Sequence, residues 1–157
     1  MPAVLEHTSR VDVAQDLGGI AVGAPVVTLD GVMPVEYLEP GDRVVTRSGV
    51  RTLCDVLCLP FSGEALMVIG GSLGHCLPGE NTYILPDTRI VVRDWRARAL
   101  FGMETALVPA ETLEDGEFIR RVQVVDLPMF TLVFDKDEIV YAGGMELAAT
   151  IAEAAVA

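Results

Sequence analysis

Four residues in the middle of the chain have side chains that bind zinc or act as nucleophiles: Cys54, Cys58, His75 and Cys76. Their types suit a tetrahedral zinc site. The spacing argues against one, because Cys54 and Cys58 lie in a strand-like run in which four residues span about 13 Å, too far for both sulfurs to reach one ion. We therefore predict no metal and no cofactor, and we interpret Cys54 and Cys58 as small buried apolar side chains.

Cys76 is the more open candidate for chemistry, because it follows His75 in a Gly- and Pro-rich stretch, 70–80, that predicts a loop. A nearby imidazole lowers the pKa of a thiol and makes it a nucleophile, but adjacency in sequence does not bring two side chains together. A solvent-accessible loop cysteine without catalytic function is the alternative interpretation.

A local basic and aromatic group is formed by Arg93, Trp95, Arg96 and Arg98. Such a group could dock an acidic segment of a partner protein. The alternative is a surface helix whose arginine stems cover apolar surface while the charged ends stay in water.

The elements that must position these residues are mostly strands. From Ala24 onward, short β-branched runs alternate with turn signals, which is typical of an all-β domain. Short helical turns are predicted near 95–113, and the Ala-rich end, 145–157, predicts a C-terminal helix. We expect a flexible N-terminal arm at 1–18, a domain at 19–148 and a helical tail at 149–157. The predicted strand segments are 25–29, 33–47, 50–61, 64–70, 81–94 with a break at Pro86-Asp87, 117–127, and 129–143 with a break at 135–137.

Composition narrows the possible partners and the compartment. Among 157 residues, 23 are acidic and 11 are basic, which gives a net charge of −12 and argues against nucleic acid and anionic membrane surfaces. A hydrophobic fraction of 51% excludes disorder for most of the chain. The three cysteines, an odd number, and the absence of an N-terminal signal pattern predict a cytoplasmic protein. Secretion by a route without a cleaved N-terminal signal is the alternative.

Three segments, in order, carry a family resemblance. The first has the form "PVE-x-L-x-PGD-x-V-x-T", and the second contains "LVPA-x-x-L-x-x-G". Taken together, they resemble the Hedgehog/intein (Hint) superfamily, in particular bacterial Hint domains of the alphaproteobacterial type, over roughly residues 19–148. The segments are GAPVVTLDGVMPVEYLEPGDRVVTR (23–47), ILPDTRIVVRDWRARALFGMETALVPAETLEDGEFIRR (84–121) and FTLVFDKDEIVYAGGMELA (130–148).

The resemblance implies a horseshoe of short antiparallel strands and, in active members, rearrangement of a peptide bond. A Cys or Ser at the head of the domain attacks the preceding carbonyl, helped by a His on a central strand. In this sequence the head position falls on Gly19, and the family's Ser/Thr-x-x-His motif falls on 85–88, with Leu85 and Thr88 at its ends. The late-strand His falls on Asp137. The terminal His-Asn pair falls near Leu147 and Ala148.

These substitutions predict a Hint-like domain without self-splicing, which acts by binding a protein partner or as a structural module. One alternative is an autoprocessing or hydrolytic enzyme that uses Cys76, Asp87 and Asp137 as its reactive groups. A second alternative is a subunit of a homo-oligomer or larger assembly. The sequence names no partner.

Overall fold

The computed structural model describes residues 18–70 and 81–151, and these form an all-β domain with one α-helix and two 3-10 turns. No helix in this part of the chain is long and apolar enough to cross a membrane. The elements in chain order are β1 Ile20–Ala21, β2 Pro25–Thr28, β3 Gly31–Pro34, a 3-10 turn Val35–Tyr37, β4 Arg43–Thr46, β5 Gly49–Thr52, β6 Asp55–Val68, β7 Thr82–Ile84, β8 Arg89–Val92, α1 Trp95–Phe101, β9 Ala106–Pro109, a 3-10 turn Ala110–Leu113, β10 Ile119–Phe134, β11 Glu138–Ala142 and β12 Met145–Ile151.

The twelve strands form one strongly bent sheet. Its main path runs β1, β7, β6, β10, β12, β11, β2, β4, β5, with β3 paired to β2 and the β8–β9 hairpin paired to β12. The β10–β12 pairing is parallel, while the other pairings in the described part of the chain are antiparallel. The concave side encloses a core in which Phe134 is the largest fully buried side chain. The all-β fold class predicted from the sequence is therefore confirmed.

The two longest strands correct the predicted strand boundaries. The boundary predicted between the segments 50–61 and 64–70 lies inside β6, and the boundary predicted between 117–127 and 129–143 lies inside β10. Pro60 and Pro128 are opposite each other in the β6–β10 ladder. Proline is tolerated here because a bulge between Val124 and Leu127 interrupts the ladder nearby, and because β6 pairs with β7 only from Leu66 onward.

The predicted C-terminal helix is wrong over the residues that the structure describes. Met145–Ile151 is a strand, which pairs with β11 across a turn at Gly143 and Gly144, both with positive φ. Burial alternates along it, with Met145 and Leu147 each 3% exposed. Strand pairing thus overrides the helix propensity of an Ala-rich sequence. Residues 152–157, like most of the predicted arm at 1–18, lie outside the described residues.

The helical segment is partly as predicted. Helix α1 begins after Asp94, whose carboxylate accepts a hydrogen bond from the Arg96 amide at 3.0 Å, and it ends at Gly102 in the left-handed conformation. The second predicted turn is the 3-10 turn at Ala110–Leu113. Between them lies the strand β9, where the sequence predicts helical turns.

The loop before β10 is fixed by Asp115. Its Oδ1 accepts hydrogen bonds from the amides of Glu117, Phe118 and Ile119 at 2.8 to 2.9 Å. Burial alone would raise the pKa of Asp115, but these three bonds, helped by the charge of Arg96, hold that pKa below its usual range. The ionised carboxylate is therefore the form that stabilises the start of β10.

We expect Asp115→Asn to lower the free energy of unfolding by about 1 kcal/mol at pH 7, because a neutral acceptor bonds amides more weakly. A lowered folded-state pKa means that this stabilisation is complete above the ordinary Asp pKa of about 3.9 and is lost as the pH falls through the folded-state value. Urea unfolding at pH 7 and in acid should show the difference between the two proteins shrinking in acid. Glu117→Gln is the control, since the Glu117 side chain makes no hydrogen bond or ion pair with the described residues.

Candidate functional site

The peptide bond between Gly18 and Gly19 is held by two threonine side chains. The Thr131 hydroxyl donates to the Gly18 carbonyl oxygen at 2.7 Å. The Gly19 N–H donates to Thr88 Oγ1 at 2.8 Å, and that hydroxyl in turn donates to the Gly19 carbonyl oxygen at 3.1 Å. Both polar groups of this buried peptide are therefore satisfied by side-chain hydroxyls.

Strand register explains why these residues meet. In β1, Ile20 pairs with Phe130 of β10 and with Ile84 of β7, so that the preceding Gly19 lies between the residues that follow those two partners. On the β7 side, the Leu85 amide donates to the Gly19 carbonyl oxygen at 3.1 Å. Thr88 is fixed in the turn that follows, where its own amide donates to the Leu85 carbonyl oxygen at 3.0 Å.

Position 19 has little room for a side chain, although its backbone would accept one. An added Cβ would lie 3.3 Å from Leu85 Cδ1, 3.3 Å from the Phe130 carbonyl oxygen and 3.5 Å from Thr131 Oγ1. Its φ lies outside the left-handed region that requires glycine, in contrast to Gly18 with φ +82°. The backbone conformation therefore does not require glycine at position 19. What glycine avoids there is a side chain, with both its bulk and its reactive groups.

A small cavity of about 30 Å³ lies beside this peptide. Such a volume holds one or two water molecules. None of its lining residues has an ionisable side chain. The cavity is lined by Gly18, Gly19, Ile20, Thr88, Phe130, Thr131, Leu132, Val140, Ala142, Leu147, Ala148 and Ala149.

The structure brings together most of the positions that the resemblance had singled out. Gly19, Thr88, Leu147 and Ala148 all line this cavity. Leu85 touches the same site through its amide and its Cδ1, which faces position 19, while the side chain also packs in a small cluster that includes Phe61, Ala65 and Met129. The site is therefore a real convergence of β1, β10, β12 and the turn before β8.

Asp137 and Asp87 are placed differently. Asp137 is exposed in the turn between β10 and β11 and does not line the cavity. Asp87 is exposed in the turn between β7 and β8. His75 and Cys76 lie in the segment 71–80, outside the described residues.

Thr131 is the residue of this site that the sequence analysis missed. It is 6% exposed and stands in the apolar run Phe130–Phe134 of β10. A hydroxyl in a fully buried run must find a hydrogen-bond partner, and this was the available signal. The identity of its partner, Gly18, depends on the β1–β10 register, which the sequence alone does not reveal.

The proposed basic and aromatic group is internally neutralised. Arg93 makes two hydrogen bonds to the Glu146 carboxylate, at 2.7 and 2.9 Å, and Arg98 lies 3.3 Å from Glu104. The guanidinium of Arg96 pairs with Asp94 and lies 5.0 Å from the Trp95 ring centroid. Trp95 is 68% exposed. These three arginines therefore already have carboxylate partners within the chain.

The cysteines correct another expectation. Cys54 and Cys58 are exposed, not buried: Cys54 immediately precedes β6, and Cys58 lies on the part of β6 that faces solvent. Partial burial of its sulfur still raises the pKa of Cys58, which disfavours the reactive thiolate form. Among the residues described, no three His, Cys, Asp or Glu side chains come close enough together to hold a metal ion.

We expect Thr88→Val to lower the free energy of unfolding by about 2 to 3 kcal/mol, because it leaves the buried Gly19 N–H without an acceptor. Urea unfolding monitored by far-UV circular dichroism measures the change. Thr112→Val is the matched control: the Thr112 hydroxyl makes one 2.7 Å bond, to the Pro109 carbonyl oxygen, at an exposed position, and its loss should cost less than about 1 kcal/mol. Equal losses for the two variants would contradict this role of Thr88.

The bent antiparallel fold, with a peptide junction held between its strands, is that of an intein-like domain. The chain belongs to the Hint domain family, whose sequence model matches residues 63–152. The predicted Hint resemblance is thereby confirmed.

Solved structures agree on the fold. The chain is similar to the bacterial intein-like domain from Clostridium thermocellum, with a TM-score of 0.60, 15% identity and coverage of 83% of this chain and 97% of that one. It is also similar to a variant of the gp41-1 intein, with a TM-score of 0.55, 12% identity and coverage of 85% of this chain and 98% of that one. A third similar structure is a DnaB intein from Synechocystis sp. PCC 6803, with a TM-score of 0.51, 10% identity and coverage of 84% of this chain and 98% of that one. No curated protein matches the chain significantly.

Proposed function

We propose that this chain is a Hint domain that no longer cleaves or splices at the 18–19 peptide and that acts as a protein-interaction or structural module. The proposal rests on the surroundings of the peptide bond between Gly18 and Gly19. Two threonine hydroxyls bind it, and no side chain at Gly19 is available to attack it.

Acyl transfer at this peptide needs a nucleophile, a group that moves a proton and a donor that stabilises the oxyanion. Among the residues that the structure describes, only the third has a counterpart at this peptide, since the Thr131 hydroxyl already donates to the Gly18 carbonyl oxygen. The Thr88 hydroxyl lies at the Gly19 nitrogen, where a proton donor to the leaving amine would act. An aliphatic hydroxyl stays protonated at neutral pH and cannot act there as an acid–base group.

The enzyme alternative gains no support from the described aspartates. Asp87 and Asp137 are both exposed, and neither lines the cavity beside the 18–19 peptide. Exposed carboxylates in turns lack the shielding that tunes a catalytic acid or base. The binding or structural function is therefore the one that we carry forward.

Intact-mass spectrometry of the purified full chain tests the proposal. We expect the mass to stay unchanged over days at pH 7 and 25 °C, with and without dithiothreitol or hydroxylamine. The same treatment in urea is the control for reactions that do not need the fold. Loss of residues 1–18, or a thiol adduct at Gly18, from the folded chain alone would overturn the proposal.

A further inference from the structure

The hairpins β2–β3 and β4–β5 each present one side to the core and the other to solvent. On the inward side Val26 and Val44 are fully buried. Residues directly opposite in an antiparallel ladder share a face, so the register places Val27 with Val32 and Val45 with Val50 on the outward side.

Strand β11 continues this outward surface. Val140 pairs with Thr46 of β4, and Ala142 pairs with Val26 of β2, all pointing inward. The residues that alternate with them in β11, Ile139 and Tyr141, therefore point outward next to the two hairpins. We call this surface the outer face, and its residues are Val27, Val32, Val45, Val50, Ile139 and Tyr141.

The outer face is apolar where a solvated sheet face is usually polar. Val32 is 64% exposed and Val50 is 39% exposed, while the other four are half-buried. Grouped apolar side chains at the surface of an otherwise strongly charged chain mark a surface that binds protein.

Charges on the two sides of the outer face have opposite signs. The β2–β3 side has Asp30 in its turn and Glu36 just after β3, and we call it the acidic side. The β4–β5 side has Arg43 and Arg47, and we call it the basic side. Arg43 makes no side-chain hydrogen bond or ion pair with the described residues, and Arg47 makes only a 4.0 Å contact with Glu146.

We propose that the outer face packs against the outer face of a second copy of this chain. A twofold axis parallel to the strands brings the acidic side of each copy opposite the basic side of the other. The same operation places Val32 of each copy opposite Val50 of the other, on either side of the axis, because β3 and β5 are the outermost strands of the two hairpins. The inference rests on the proposed interaction function and names a second copy as the partner.

The size of the outer face sets the strength of the dimer. Five strands about 4.8 Å apart and about four residues long cover a plane of about 300 Å². A stable interface of standard size buries about 800 Å² on each partner. The outer face is less than half that size, so we expect a weak dimer that forms only at high protein concentration.

Sedimentation velocity of the full chain from 5 to 500 μM tests the dimer. We expect the weight-average mass to rise from monomer toward dimer across this range, and Val32→Glu to keep it at monomer. Val125→Glu is the matched control, because Val125 is 77% exposed on the β10 bulge, away from the outer face. A wild-type chain that stays monomeric at 500 μM, or a dimer that Val32→Glu leaves intact, would overturn the proposal.

A charge swap tests the twofold arrangement itself. Arg43→Asp and Asp30→Arg should each weaken self-association at least tenfold, because like charges then face each other across the axis. Mixing the two variants should restore association, since every facing pair is again of opposite sign. Failure of the mixture to associate would contradict this geometry. Both readouts are independent of the mass test for self-processing, so either proposal can fail alone.

Discussion

Replacing Gly18 by alanine should destabilise the protein by about 2 to 5 kcal/mol. Gly18 has a φ of +82°, which costs a residue with a Cβ about 1 to 2 kcal/mol. The added Cβ would also lie 2.7 Å from Thr88 Cα, a backbone atom that cannot rotate away. Overpacking of this kind adds about 1 to 3 kcal/mol. Equilibrium unfolding in urea measures the sum.

Gly23→Ala is the matched control. Gly23 has nearly the same φ, +89°, but nothing lies within 4 Å of its added Cβ. It should show only the conformational part, about 1 to 2 kcal/mol. The difference between the two variants therefore measures the crowding between Gly18 and Thr88. Equal losses of stability in the two variants would mean that Thr88 does not crowd a Cβ at position 18.

This crowding bears on function. A processing site that acts on different upstream sequences must accept different side chains before the scissile bond. Here Thr88 packs directly on Gly18, and the left-handed backbone also demands glycine. The space around position 18 therefore fits only glycine in the left-handed conformation. This agrees with a fixed structural junction better than with a reactive one.

The sequence predicts local structure well where the pattern depends on neighbouring residues. The β7–β8 break at Pro86, the break at 135–137 and the turn at Gly143 all follow from local turn chemistry. The Ala-rich end misleads, because helix propensity is weaker than the pairing of Met145–Ile151 with β11. Long-range pairing with β10 likewise carries β6 through Pro60.

The residues of the candidate site divide in the same way: a local motif predicts some of them, and only strand pairing reveals the others. Thr88 could be found from the motif in the segment 84–121, and Gly19 could be found by counting back from the segment that begins at Gly23. Thr131 could not, since only the pairing of Ile20 with Phe130 brings it to Gly18. The outer face also depends on register: the sequence indicates strands, but only the opposition of Val27 to Val32 shows that their exposed sides coincide.

Restoring the missing groups should restore cleavage. In a Gly19→Cys/Thr88→His variant, the introduced thiolate would attack the Gly18 carbonyl carbon while the imidazole protonates the leaving nitrogen of residue 19. The C–N bond breaks and a thioester forms. Dithiothreitol then attacks this thioester and takes the place of the introduced sulfur at position 19, which releases residues 1–18 as a thioester of dithiothreitol. A Cβ at 19 would lie 3.3 Å from Leu85 Cδ1 and from the Phe130 carbonyl oxygen, so these neighbours must shift slightly to admit it, and the cavity beside Thr88 gives the larger ring some of the space that it needs.

Intact-mass spectrometry should show dithiothreitol-dependent loss of residues 1–18 in the double variant and none in Gly19→Cys alone. Adding Thr131→Val to the double variant should slow cleavage by about 10² or more, because it removes the donor to the developing oxyanion. Cleavage by Gly19→Cys alone would show that Thr88 does not block the reaction. A correctly folded double variant that does not cleave would contradict the prediction that these two groups are sufficient.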